Sequence, residues 1–201
     1  MTRIRELITA CLVAISMSIA LVPVLEWLGD FGCEGTAIAY PGDEQEMSVA
    51  SAIRTLQPMT SDERASQLAG VFVGAGHETR IDPLLLVAIA MRESSLREDV
   101  ERLERLGRRG ERGLLQLMPR GAAVSHRPTE CSAELEGAHC QVYTGAMWLA
   151  HLRDEQCPGS TWRWVAAYGW SRCPSEREAR ADRNAAVAAS YYSRIGGSEW
   201  R

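Results

Sequence analysis

The chain has 201 residues, of which 46% are hydrophobic and 24% are charged. This length and composition fit one ordinary globular domain or slightly more. They exclude a multidomain machine, a fibrous protein and a chain that is disordered throughout. Twenty-two basic residues stand against 26 acidic ones, which gives a formal net charge of −4. Because nucleic-acid-binding proteins normally carry a basic excess, this charge argues against nucleic acid as a partner.

The first part of the chain has the pattern of a secretory signal or a membrane anchor. Arg3 and Arg5 precede residues 7–25, a run of nineteen residues without a charge. Positive charge followed by an apolar stretch favours export. The run is longer than a signal core of about 7 to 15 residues and close to the roughly 20 that span a bilayer. A signal peptide or an inner-membrane anchor over residues 1–32 therefore both stay open, and either predicts a protein of the periplasm or cell envelope.

Four of the six cysteines lie in the body of the chain. In an exported protein this even number favours two disulfides. The simplest of the three possible connectivities joins Cys131 to Cys140 and Cys157 to Cys173, and the alternative is a set of free buried thiols. No Cys-x-x-Cys pair occurs, and His126, His139 and His151 lack ligand spacing, so we do not expect a metal site.

Residues 33–59 combine glycines, prolines and an acidic cluster, which predicts a linker with one marginal helix at about residues 47–56. The folded domain is expected to occupy residues 60–201. It opens with Thr60 and Glu63 at the spacing of a capping box, followed by apolar residues at helical spacing. A helix is therefore predicted to start at Thr60.

The next helix is predicted to be the most buried element. Asp82 can cap it, and Pro83 suits the first helical position. Residues 84–91 are eight consecutive apolar residues, so the helix is apolar on every side. Glu93 follows directly, and burial raises the pKa of a carboxyl, which can then act as a general acid near neutral pH. From spacing alone, an ion pair with a neighbouring arginine is the simpler interpretation of Glu93.

The rest of the chain predicts short helices and loops. Residues 97–112 contain six arginines and five acids, which is typical of a solvated helix or loop. Residues 113–119 predict a turn that leads into a brief helix. Helical spacing resumes over residues 143–152, 161–168 and 176–195. No strand and no repeat is predicted, so the expected fold class is mainly α.

Three blocks of sequence taken together carry a family resemblance. The first runs from Ile81-Asp82-Pro83 to Glu93-Ser94, the second is Gly113-Leu-Leu-Gln116-Leu-Met-Pro119, and the third is Ala166-Ala167-Tyr168-Gly169. In this order they resemble the soluble lytic transglycosylase family, which carries a Glu-Ser pair, a Gly-Leu-Met-Gln turn and an Ala-Tyr-Asn motif. The resemblance covers roughly residues 60–195. Gly169 departs from it, because the family has asparagine there, so that a side-chain amide is missing or supplied from elsewhere.

The resemblance implies a mainly α, lysozyme-like helical domain that cleaves peptidoglycan glycan strands without a cofactor. Glu93 would protonate the glycosidic oxygen between N-acetylmuramic acid and N-acetylglucosamine. It would then take the proton of the muramoyl 6-hydroxyl, which closes a 1,6-anhydro ring. The residues implied to bind substrate are Ser94, Gly113, Leu115, Gln116, Met118 and Tyr168. Judged from the residues alone, Gln116 could instead satisfy backbone groups, and Tyr168 could be a core tyrosine.

Two other functions stay open. An ordinary glycosidase needs a second carboxylate, and Glu111, two residues before Gly113, is the nearest candidate, so a lysozyme-type hydrolase is the first alternative. The second is a non-catalytic glycan-binding module that keeps the fold, which the glycine at position 169 makes conceivable.

Overall fold

A computed structural model describes residues 41–170 and 172–198. The uncharged run at residues 7–25, which predicts a signal peptide or an anchor, lies outside these residues, as do Cys11 and Cys33. Within the described part of the chain, no helix is both long enough and apolar enough to cross a bilayer.

The two described ranges form helices and loops and contain no strand, which confirms the predicted fold class. The α-helices are α1 (Pro41–Leu56), α2 (Asp62–Thr79), α3 (Pro83–Ser94), α4 (Glu98–Glu101), α5 (Gly137–His151), α6 (Thr161–Ala167), α7 (Glu176–Ala181) and α8 (Arg183–Arg194). A 3₁₀ helix at Ala122–His126 precedes α5, and a π-helix at Leu152–Gln156 continues it.

Helix α3 runs through the core because its sequence is apolar on every side. Residues 85–90 are all buried, and α3 packs against α1, α2 and α8. Its start is as predicted, with Pro83 in the first turn and Asp82 as the N-cap. The Asp82 carboxylate accepts a hydrogen bond of 2.9 Å from the N–H of Leu84. The most apolar segment of the sequence is therefore the element around which the others pack.

Helix α2 begins one residue later than the capping-box pattern predicts. Its N-cap is Ser61, whose hydroxyl accepts a hydrogen bond of 3.3 Å from the N–H of Arg64. Thr60 is therefore not the cap, and the capping box with Glu63 is wrong. Thr60 and Ser61 both carry a hydroxyl that can cap a helix, so the sequence alone does not decide between them. The backbone of Ser61 is extended, with φ −64° and ψ 155°, and this places its side chain over the first turn.

Helix α1 is longer than the marginal helix that the sequence predicts. It begins at Pro41 and packs against α2. Val49 and Ile53 are fully buried on the side facing the core. The proposed division of the chain after residues 32 and 59 stays a prediction.

The predicted helix at 176–195 is two helices. Helix α7 ends before Asp182, which then caps α8, and its carboxylate accepts a hydrogen bond of 2.7 Å from the N–H of Ala185. Helix α8 thus starts anew at Asp182, and it is in contact with α3.

Both predicted disulfides are present in the described part of the chain. Cys131 pairs with Cys140, and Cys157 pairs with Cys173. The first fastens the loop before α5 to the first turn of that helix. The second joins the end of the π-helix to the loop that follows α6.

Candidate active site

Glu93 lies in the last turn of α3, where the buried helix meets a cleft. The chain turns away directly after the helix, because Ser95 and Leu96 both have left-handed backbone angles, φ 56° and 53°. Ser94 is itself buried, and its hydroxyl donates to the carbonyl of Ala90 at 3.0 Å and accepts from the N–H of Leu96 at 3.1 Å. Ser94 therefore secures the end of the helix and does not line the cleft.

The environment of Glu93 suits a group that exchanges a proton near neutral pH. Its side chain is 13% exposed, and Nη1 of Arg92 contacts its Oε1. Burial raises the pKa of Glu93 to about 7, although the positive charge of Arg92 opposes the shift, and the negative charge of Glu111 adds to it. The ion pair with a neighbouring arginine that the spacing suggested is thus present, and burial outweighs it.

The second sequence block forms a tight turn beside Glu93. Arg112 and Leu117 exchange backbone hydrogen bonds of 2.8 and 2.9 Å, which close the turn. Gly113 has φ 71°, and a Cβ atom there would lie 2.3 Å from the side chain of Gln141. Only glycine fits this position. The brief helix predicted for residues 113–119 is absent from the described chain, because this closed turn occupies the segment.

Gln116 also has a left-handed backbone, with φ 47°. Residues with a side chain seldom adopt this conformation, and it costs on the order of 1 to 3 kcal/mol. The Gln116 amide Nε2 donates a hydrogen bond of 2.9 Å to the carbonyl of Gly113, which helps to hold it. The turn thus places one amide side chain at the cleft at an energetic cost.

Gln141 of α5, which the sequence analysis did not single out, supports the turn from behind. It is fully buried. Its Oε1 accepts from the N–H of Leu114 at 2.9 Å, and its Nε2 donates to the carbonyls of Glu101 at 2.7 Å and Leu135 at 3.0 Å. The sequence gives little indication of this role, because Gln141 lies two residues before the helix predicted at residues 143–152, whereas α5 begins at Gly137.

Tyr168 connects the third sequence block to this turn. Its hydroxyl donates a hydrogen bond of 2.7 Å to the backbone carbonyl of Leu115. The Leu115 side chain is fully buried against Gly145, where a Cβ atom would lie only 2.2 Å from its Cδ1. Burial raises the pKa of Tyr168 well above its ordinary value, and the charge of Glu93 raises it further. Tyr168 therefore lies next to Glu93 as a neutral hydrogen-bond donor.

These elements surround a cleft of about 450 Å³. Of the seven residues predicted for the site, Glu93, Gln116, Met118 and Tyr168 line it. Ser94, Gly113 and Leu115 are not among its lining residues and shape its wall from behind. The other lining residues are Arg92, Arg108, Arg109, Glu111, Leu117, Gly121, Ala122, Ala123, Trp148, Gly169 and Asn184.

A comparison with protein families agrees with this geometry. The family model described as SLT: Transglycosylase SLT domain matches residues 71–190, which is more than half of the chain and includes every residue that lines the cleft. The chain belongs to the transglycosylase SLT family. No curated protein and no solved structure matches it in the corresponding comparisons. As an SLT domain it has the mainly helical, lysozyme-like fold predicted from its sequence, and peptidoglycan is the substrate of its family.

A second carboxylate of the SLT domain, that of Glu111, also lines the cleft. Its side chain is 16% exposed. Its Oε1 accepts from Nε of Arg109 at 2.9 Å, and its Oε2 accepts from the backbone N–H of Arg109 at 2.8 Å. Burial alone would raise the pKa of Glu111, but these hydrogen bonds more than offset it and lower the pKa. Glu111 is therefore ionised at a pH at which Glu93 still holds its proton.

Gly169, which departs from the Ala-Tyr-Asn motif of the resemblance, faces open space. A Cβ atom on Gly169 would meet no atom of the described residues within 4 Å. Asn184, in the first turn of α8, lines the same cleft. A side-chain amide thus reaches the cleft from a different helix. The sequence pattern does not indicate this, because it predicts one continuous helix over residues 176–195.

One group of metal-ligating side chains occurs in the described part of the SLT domain. It consists of Glu130, Cys131 and His139. The sulfur of Cys131 is bonded to Cys140, so it has no thiolate to offer a metal. None of these residues lines the cleft.

Proposed function

We propose that this SLT domain is a peptidoglycan lytic transglycosylase. It cleaves the β-1,4 bond between N-acetylmuramic acid and N-acetylglucosamine and leaves 1,6-anhydro-N-acetylmuramic acid ends. The observation that supports this most strongly is Glu93, a carboxyl that is 13% exposed and has a pKa of about 7 at the wall of the cleft. A catalytic group works best when its pKa is close to the working pH, because both of its protonation states are then accessible.

In the first step Glu93 acts as a general acid. Its proton passes to the glycosidic oxygen as the bond to the muramoyl C1 breaks, so that N-acetylglucosamine leaves as a neutral alcohol. Burial favours the protonated form that this step needs. The positive charge developing on the sugar then lies close to the carboxylate that has just formed.

In the second step the ionised Glu93 acts as a base. It takes the proton of the muramoyl 6-hydroxyl, and the 6-oxygen forms a bond to C1 and closes the anhydro ring. Glu93 regains its proton, and no water is consumed. A second carboxylate is not needed, because the nucleophile is part of the substrate.

Gln116 and Tyr168 have different roles in this proposal. The Oε1 atom of Gln116 accepts no hydrogen bond from the described residues, so it is available to an N–H or hydroxyl group of the sugar. The hydroxyl of Tyr168 is already committed to the carbonyl of Leu115. Gln116 is therefore a substrate-binding residue, and Tyr168 is a positioning residue for the turn that carries it.

We also propose that the protein works outside the cytoplasm, in the periplasm or cell envelope. Its proposed substrate lies there, and its two described disulfides suit an oxidising compartment. Residues 7–25 would direct export, either as a cleaved signal or as an inner-membrane anchor.

Hydrolysis is the second candidate, and Glu111 is the observation that favours it. Two carboxyl groups whose pKa values are moved in opposite directions are the usual pattern of an acid and its partner base. However, both Glu111 oxygens accept hydrogen bonds from Arg109. A lowered pKa also makes a carboxylate a weaker base towards water. These contacts favour transglycosylation.

Digestion of purified sacculi separates the candidates. We expect the wild-type protein to release muropeptides with 1,6-anhydro ends, identified by mass spectrometry because they are lighter by one water than reducing ends. The variant Glu93→Gln should lose activity by a factor of about 10² to 10⁴ and still sediment with sacculi. Glu104→Gln, a change of an exposed acid that does not line the cleft, should retain activity.

Other outcomes would contradict the proposal. Reducing ends from the wild-type protein would identify a hydrolase. Intact sacculi that bind the protein would identify a non-catalytic glycan-binding module. Substantial turnover by folded Glu93→Gln would remove Glu93 from the catalytic role.

A further inference from the structure

The positive and negative charges of the side chains that line the cleft do not balance. Among the described residues they are Arg92, Glu93, Arg108, Arg109 and Glu111. Glu93 pairs with Arg92, and Glu111 pairs with Arg109. Arg108 has no ion pair and no hydrogen bond within the described part of the chain. The cleft therefore carries an unpaired positive charge in a protein whose formal net charge is −4.

The backbone holds Arg108 at the cleft. The N–H of Gly107 donates to the carbonyl of Glu111 at 2.8 Å, and the N–H of Gly110 donates to the carbonyl of Gly107 at 3.0 Å. These bonds close a short loop, which reverses at Gly110 with φ 89°. A Cβ atom on Gly107 would lie 2.4 Å from Oε2 of Glu111 and 2.5 Å from Oε1 of Gln116. The loop that carries Arg108 is thus closed by hydrogen bonds and packed against two residues of the cleft wall.

We propose that Arg108 binds a carboxylate of the glycan strand as it enters the cleft. The inference rests on the proposed function, because it assumes that peptidoglycan is the substrate. The guanidinium group is planar and matches a carboxylate with two parallel hydrogen bonds. The exposed position of Arg108 leaves its donors open to solvent and substrate.

The chemistry of the substrate supplies the carboxylate next to the bond that is cleaved. Each N-acetylmuramic acid carries a lactyl group on the ring, and a peptide stem with free carboxylates is joined to it. When the stem has been removed, the lactyl group itself ends in a carboxylate. The two sources share one chemistry, and a positive charge at the cleft would attract either of them.

Arg109 does not offer the same site. Its Nε and its backbone N–H are both bound to Glu111, so it serves to hold that carboxylate. Arg92 contacts Oε1 of Glu93, so its guanidinium is held against the proposed catalytic residue. Arg108 is therefore the arginine of the cleft that has no side-chain partner among the described residues.

The test compares Arg108→Gln with Arg105→Gln. Arg105 is an exposed arginine of the same charged segment and does not line the cleft. KM and kcat are measured on three kinds of glycan strand: strands with free stem carboxylates, strands whose stem carboxylates are amidated, and strands without stems. We expect Arg108→Gln to raise KM about three- to fivefold on at least one strand with free carboxylates, as for an exposed ion pair. We expect kcat to stay within twofold, and Arg105→Gln to match the wild type.

The three strands identify the source. An increase in KM only with free stem carboxylates assigns Arg108 to the stem, and an increase only without stems assigns it to the lactyl group. In either case the wild-type KM should rise with ionic strength more steeply than that of Arg108→Gln. An unchanged KM on all three strands overturns the proposal. So does an equal increase on amidated strands, or an effect on kcat alone.

Binding separates this proposal from the proposed function. If the wild-type protein cleaves none of the strands, the transglycosylase assignment fails. The role of Arg108 can then still be tested by binding. We compare the Kd of the single variant Glu93→Gln with that of the double variant Glu93→Gln/Arg108→Gln on the same strands. A weaker affinity of the double variant that is confined to strands with free carboxylates supports the role of Arg108. Equal affinities of the two proteins reject it.

Discussion

The hydroxyl of Tyr168 and the backbone carbonyl of Leu115 are joined by a hydrogen bond of 2.7 Å. This contact links the residue after α6 to the turn that carries Gln116, so the two walls of the cleft are fixed relative to each other. Because the hydroxyl is a donor here and its pKa is raised, Tyr168 does not act by losing its proton. Its contribution to the site is the position of the turn.

We predict that Tyr168→Phe lowers the free energy of unfolding by about 0.5 to 1.5 kcal/mol, because the buried carbonyl of Leu115 loses its donor. The same change should lower kcat, since the turn is less firmly held beside Glu93. Urea unfolding and steady-state kinetics measure the two effects. The matched control is Tyr191→Phe, because the hydroxyl of Tyr191 makes no hydrogen bond with the described residues. Equal behaviour of the two variants would contradict the role assigned to Tyr168.

Glu93 gives a pH-dependent prediction for stability. The pKa of Glu93 is about 7 in the folded protein, and the ordinary value of a glutamate, which we take for the unfolded chain, is 4.5. Between these values the folded state holds a proton that the unfolded state has lost, so the stability of the wild type falls as pH rises through this range and then levels off. The variant Glu93→Gln cannot ionise at this position, so it lacks this fall in stability. We predict that the variant gains up to about 3 kcal/mol relative to the wild type between pH 4.5 and pH 8.

Denaturant unfolding of both proteins across this pH range measures the gain. Glu104→Gln serves as the control, because Glu104 is exposed and should show no comparable trend. If the unfolding free energies of the wild type and Glu93→Gln change in parallel with pH over the whole range, the pKa of Glu93 is not raised in the folded protein.

Local signals were sufficient to predict part of this structure. An unbroken apolar run with Asp82 and Pro83 at its start defines α3. This run alone predicts that Glu93 lies at the end of a buried helix, whatever the arrangement of the other helices. The predicted pairing of Cys157 with Cys173 needed only an exported chain and nearby cysteines in sequence. Such features depend on residues that are close to one another in the chain, so a single sequence is enough to predict them.

Other features depend on contacts between distant segments, and no local pattern of residues predicts them. Gln141 supports a turn that lies 27 residues earlier in the chain. Asn184 reaches the cleft only because α8 starts anew at Asp182 and packs against α3. Arg108 is one of six arginines in a charged segment, and it differs from the others because it lines the cleft and has no ion pair with the described residues. Composition describes such a segment as solvated and does not say which of its charges faces a cleft.

Gln141 yields a prediction that links stability to the site. Gln141→Leu keeps a similar volume but leaves the N–H of Leu114 and two backbone carbonyls without their partner. Since an unsatisfied buried polar group costs about 1 to 3 kcal/mol, we predict a loss of about 3 kcal/mol or more in unfolding free energy. The matched control is Gln67→Leu on the exposed face of α2, which should change stability by less than about 0.5 kcal/mol. Similar losses in the two variants would contradict the supporting role of Gln141.

The two disulfides should stabilise the fold unequally. Cys157 and Cys173 are 16 residues apart, whereas Cys131 and Cys140 are 9 apart. A longer closed loop restricts the unfolded chain more, so replacing the Cys157–Cys173 pair by serine should cost about 0.5 kcal/mol more than replacing the other pair, within losses of about 2 to 4 kcal/mol each. Thermal unfolding of the two double variants measures the difference, and peptide mapping that found four free thiols would contradict both bridges.

Glu111 distinguishes a transglycosylase from a two-carboxylate hydrolase. Both of its oxygens accept hydrogen bonds from Arg109, and its negative charge contributes to the raised pKa of Glu93. If Glu111 acts only through this charge, Glu111→Ala lowers the pKa of Glu93 and moves the alkaline limb of the pH–rate profile to lower pH. We predict a rate within tenfold of the wild type at the optimum, with 1,6-anhydro ends still dominant, whereas Glu93→Ala is inactive. Should folded Glu111→Ala be as inactive as Glu93→Ala, with reducing ends released by the wild type, Glu111 is the catalytic base and the enzyme is a hydrolase.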